Sequence, residues 1–136
     1  MATIREATRV EAYRLAAPSG RELSAEDASP LEYEVTSVPA VVPAERAKKL
    51  AQALLSPQTY EWEAAKACVP IYGVKISFFK GSERVDVFFC FACDVLAVAS
   101  GDSVFGAEDF DHSRLLFVQI VKELFPDDPV IQGISE

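Results

Sequence analysis

The residues most able to do chemistry are three cysteines and one histidine. Cys90 and Cys93 stand as C-x-x-C in Cys90-Phe91-Ala92-Cys93, a spacing at which two thiolates converge on one metal ion if the chain turns there. Cys68 adds a third sulfur. A closed zinc site takes four ligands, and the fourth would be His112, the only histidine, or Asp94. Cys68, Cys90, Cys93 and His112 are therefore the candidate zinc set. A plainer reading has all three cysteines reduced and buried as small apolar residues. A third is disulfide exchange, which wants a thiol beside a helix N-terminus or a cation. Here Asp94-Val95-Leu96 follows Cys93, so the nearest charge in sequence is negative.

Other constellations are weaker. No nucleophile elbow and no phosphate-cradling glycine loop occurs, and any histidine-based catalysis has to use His112. Glu108, Asp109 and Asp111 cluster ahead of a predicted helix; paired carboxylates can do acid/base work or hold a hard cation, but in this position they more often cap N–H groups and favour the positive end of the helix dipole. Asp127 and Asp128 sit in an expected turn. Trp62, near Tyr60 and before Cys68, could line a ligand site, though an isolated tryptophan is more often part of the core or its rim. No residue is assigned a catalytic role.

These side chains have to be positioned by a sheet. Tyr72, Val74, Ile76 and Phe78 repeat with a period of two, as do Val85, Val87, Phe89 and Phe91. A Gly81-Ser82 turn with glycine first predicts a hairpin that pairs Phe78 with Val85, Ile76 with Val87, Val74 with Phe89 and Tyr72 with Phe91. Cys68 then lies near residues 93 to 95. A straight strand through Cys90 and Cys93 would point them to opposite faces. A reversal at Ala92 and Cys93 instead sends Val95 to Ala99 back along the second strand, placing Leu96 and Val98 beside Phe89 and Val87, and keeps the core face apolar.

Around this centre the pattern predicts a strand over Arg9 to Ala16 and a polar loop from Pro18 to Pro30. A half-buried strand follows from Leu31 to Thr36, and a short one from Ser103 to Phe105. Ala44 to Leu55 reads as a helix after Pro43, with Ala47, Leu50, Ala51, Leu54 and Leu55 as its apolar stripe. A last helix, capped by Asp111, runs to Phe125 and buries Leu115, Leu116, Val118, Ile120, Val121 and Leu124. The expected architecture is a single α+β domain over residues 1–136, an antiparallel meander packed against two main helices.

The chain has 21 acidic and 13 basic side chains, a formal charge of −8. That field repels phosphate backbones and anionic lipid, which argues against nucleic acid and membranes and leaves a basic protein partner as the sharper expectation. No segment reads as a membrane span or secretory signal, so a cytoplasmic location with reduced cysteines is expected.

Three segments, Ala44 to Leu55, Val85-Asp86-Val87-Phe88-Phe89-Cys90-Phe91-Ala92-Cys93 and Leu124-Phe125-Pro126-Asp127-Asp128, together with Cys68, resemble a family of small bacterial proteins without an assigned activity. The resemblance implies a bacterial cytoplasmic protein whose cysteines belong together, and it carries over no catalytic residue. The functional expectation is a non-enzymatic binding or accessory domain of the inhibitor or immunity type. The alternative is a zinc- or thiol-dependent protein centred on Cys68, Cys90 and Cys93.

Overall fold

A computed structural model describes residues 2–16, 29–60 and 71–135. The strands are β1 (Arg9–Ala16), β2 (Glu34–Val35), β3 (Ala40–Val41), β4 (Val74–Lys80), β5 (Glu83–Cys90), β6 (Val95–Ser100) and β7 (Ser103–Asp109). The helices are α1 (Ala2–Arg5), α2 (Ala44–Leu55), α3 (Arg114–Leu124) and α4 (Pro129–Gln132). The fold is α+β. All strand pairs are antiparallel, in the order β2-β1-β4-β5-β6-β7, and β3 also pairs with β1.

The centre follows the expected register. Val74 faces Phe89, Ile76 faces Val87 and Phe78 faces Val85. Gly81 has φ +60°, which a glycine adopts without steric cost at the first position of such a turn. The chain then reverses after Cys90, and Leu96 and Val98 return beside Phe89 and Val87. One face of the sheet packs Ile76, Phe78, Val87 and Phe89 against Leu50 and Leu54 of α2 and Phe117, Val118 and Val121 of α3. Phe89, Phe110 and Phe117 meet edge to face, with centroids 5.2–5.9 Å apart, an arrangement that suits the aromatic quadrupoles. The opposite face holds a smaller cluster of Leu15, Tyr33, Tyr72, Phe88, Cys90, Cys93, Ala97 and Ala99.

Several expectations are corrected. Tyr72 does not extend the β4 pairing to Phe91. It joins the smaller cluster, edge-on to Tyr33 at 5.6 Å. Leu31 to Thr36 is not one strand, because Ser29 Oγ accepts the Leu31 N–H and Pro30–Glu32 winds into a 3₁₀ turn. Only Glu34–Val35 pairs, beside Leu15 and Ala16. β7 runs to Asp109 instead of ending at Phe105. Asp111 does not cap α3 directly. It opens a 3₁₀ turn (Asp111–Ser113) in which its own N–H donates to Asp109 Oδ1. The 100° step per residue then buries Phe117 and leaves Leu115 exposed. The short helices α1 and α4 have no counterpart in the sequence reading, since neither is long enough for periodicity to register.

Candidate functional site

The reversal between β5 and β6 gathers the chemically capable side chains at one end of the sheet. Phe91 to Asp94 form the turn, and Asp94 adopts φ +54°, a left-handed conformation that aspartate tolerates better than most residues. Arg114, the first residue of α3, holds this shape. Its Nη1 donates to the Phe91 carbonyl at 2.7 Å and to the Asp94 carboxylate, and its Nη2 donates to the Ser135 carbonyl at 2.8 Å. Burial raises the Asp94 pKa above the ordinary aspartate value. A hydrogen bond with Asp111 adds to the rise, and Arg114 opposes it.

Arg14 on β1 makes a second fastening. Its Nε donates to Asp128 Oδ2 at 2.6 Å, and its Nη1 donates to the Gly73 carbonyl. Gly73 lacks the Cβ that would stand 3.1 Å from that guanidinium, so a side chain there would force Arg14 to shift. Asp128 also caps α4, its Oδ1 accepting the N–H groups of Val130 and Ile131 at 3.0 and 3.1 Å. The reading of Asp128 as turn punctuation is thus extended to a cap and an ion pair. A cavity of about 760 Å³ opens between the two arginines over Leu15, Tyr72, Phe91 and Ile131.

The candidate zinc ligands are placed as follows. Cys90 is a free thiol, completely buried at the end of β5. Cys93 is buried on the same face and is disulfide-bonded. The expectation of reduced cysteines is therefore corrected at Cys93: the reversal turns it inward beside Cys90, and its sulfur is already bonded. A disulfide sulfur offers no thiolate to a metal, so the zinc reading now concerns the reduced chain. His112 is exposed in the 3₁₀ turn before α3. Cys68 and Trp62 lie outside the described residues. Among the described residues, no three His, Cys, Asp or Glu side chains gather as metal ligands would. The Tyr72 pKa is pushed up to about 12 by burial, with Cys90 and Tyr33 adding to it.

A second feature is the outer edge of the sheet. β7 pairs with β6 on one side, and among the described residues no strand covers its other side. Every β7 residue except Asp109 is exposed, including Val104 and, at 60 %, Phe105. No lysine or arginine lies between Arg84 and Arg114, whereas Asp86, Asp94, Asp102, Glu108, Asp109 and Asp111 do.

Sequence reasoning missed Arg14, Gly73 and Arg114. The signal available was that Arg114 ends this long acidic stretch, which marks it as the nearest cation in sequence for those carboxylates. Among the described residues, no helix is long and apolar enough to cross a membrane. The chain matches no described protein family, and neither a curated protein nor a solved structure gives a significant match.

Proposed function

We propose that the protein is a non-enzymatic binding domain that docks an extended, basic segment of a partner protein along β7. The observation that carries this reading is the open β7 edge. An unpaired strand presents a row of N–H and C=O groups to which an extended peptide can add, and natural proteins usually blunt such edges with lysine, proline or a covering element. β7 has neither lysine nor proline, and it displays Val104 and Phe105. Main-chain pairing would supply affinity. The exposed carboxylates on and beside it, Asp102, Glu108 and Asp111, would select basic side chains and speed their approach.

Fluorescence anisotropy with a labelled peptide of alternating lysine and valine tests this reading. The basic peptide should bind and weaken as salt rises, because exposed charges are screened. A glutamate–valine peptide should not bind, and Phe105→Lys should reduce the affinity at least about tenfold by placing a cation on the edge. Equal binding of the acidic peptide, or unchanged affinity in the Phe105→Lys chain, would refute the proposal.

A further inference from the structure

We infer that the cavity between Arg14 and Arg114 is a separate binding site for a small monocarboxylic acid, whose carboxylate meets the guanidinium groups while its apolar body lies on Leu15, Tyr72, Phe91 and Ile131. The size suits such a ligand. A volume of about 760 Å³ falls within the roughly 300–1,000 Å³ of pockets that enclose small molecules, which are mostly apolar with a few placed polar groups. Here those groups are Arg14, Asp94, Arg114 and Ser135.

Charge decides the sign of the ligand. Asp128, the counter-ion of Arg14, is not among the described lining residues, where two guanidinium groups stand against the carboxylate of Asp94. The lining is positively biased within a chain of formal charge −8. Burial further disfavours the Asp94 anion. Among the described residues, Arg14 donates through Nε and Nη1 and Arg114 through Nη1 and Nη2, and a guanidinium carries five N–H groups in a planar fork that matches a carboxylate. A cationic ligand would meet the wrong field. A purely apolar one would offer that fork no acceptor.

The test is a titration of the isotope-labelled full chain with decanoate and with 1-naphthaleneacetate, an extended and a compact apolar acid, followed by backbone amide shifts. The amides of Gly73, Ala92 and Ile131 should move, with a Kd below about 1 mM for at least one acid. 1-Naphthaleneacetamide has the same shape without the charge and should bind at least about tenfold more weakly than its acid. Arg14→Lys should retain part of the preference for the acid, and Arg14→Gln should lose it. No shift with either acid at about 1 mM, equal affinity for acid and amide, or shifts confined to β7 would overturn the assignment. The comparison of acid with amide uses the unaltered chain, so it decides the matter even where an Arg14 variant fails to fold.

Discussion

Asp128 does two jobs through its two oxygens, and they separate by pH. Burial alone would raise its pKa. The bonds from Arg14 and from the N–H groups of Ile131 and Val130 outweigh that, and the net shift is downward. A carboxylate with a depressed folded pKa contributes stability above its unfolded value, near 3.8, and loses it as pH falls through the folded value. Asp128→Asn keeps a good capping residue and removes the charge. Chemical denaturation across pH should therefore find this variant less stable than the parent at neutral pH, the gap closing in acid. A constant gap would mean that only the cap matters. Asp94 has the opposite sign. Its raised pKa makes ionisation count against the fold, and the cost is relieved as pH falls through that value. Neither role was legible from residue type, because Arg14 and Asp128 lie 114 positions apart and no local pattern links them. The cysteine pattern was legible as a cluster but not as a bonding state. With Cys90 a free thiol and Cys93 disulfide-bonded, non-reducing peptide mapping of the unfolded chain should recover Cys90 as a thiol and Cys93 in a disulfide. Recovery of Cys93 as a free thiol would reopen both the zinc set and the reading of plain buried thiols, which elemental analysis separates.

At the level of elements, the hairpins were legible where two independent cues agreed. The period of two and the Gly81 turn select one register for β4 and β5, and the need to keep Leu96 and Val98 on the core side selects the reversal that follows. Alternation alone failed at Leu31 to Thr36. Leu31, Tyr33 and Val35 alternate as a strand would, but Pro30 and the Ser29 cap bend the chain first, and Leu31 and Val35 end up exposed. In α3, apolar residues occur all round the helix, so composition did not reveal that Phe117 faces inward and Leu115 outward. Phe117 is fully buried, in edge-to-face contact with Phe89 and Phe110. Phe117→Ala should cost about 3–5 kcal/mol by denaturant unfolding, whereas Leu115→Ala should cost within about 0.5 kcal/mol. Similar losses at the two positions would mean that α3 is rotated from the arrangement described.

The whole molecule is an antiparallel sheet with unequal faces: two longer helices and an aromatic core on one, and a smaller tyrosine–cysteine cluster on the other. Its net charge was readable from composition. The placement of its charges was not, since it takes the sheet order to set Asp102, Glu108 and Asp111 on or beside the outer strand and the arginine cavity at the end where β5 turns. The Arg14–Asp128 fastening also bears on how the chain is made. β1 is synthesised well before residue 128 and pairs with β4, whereas its arginine meets its carboxylate only after residue 128 has been added. Such long sequence separations slow folding. On the ribosome the sheet centre can assemble while the cavity wall is still missing, so the site is completed only once α4 has followed the strands out.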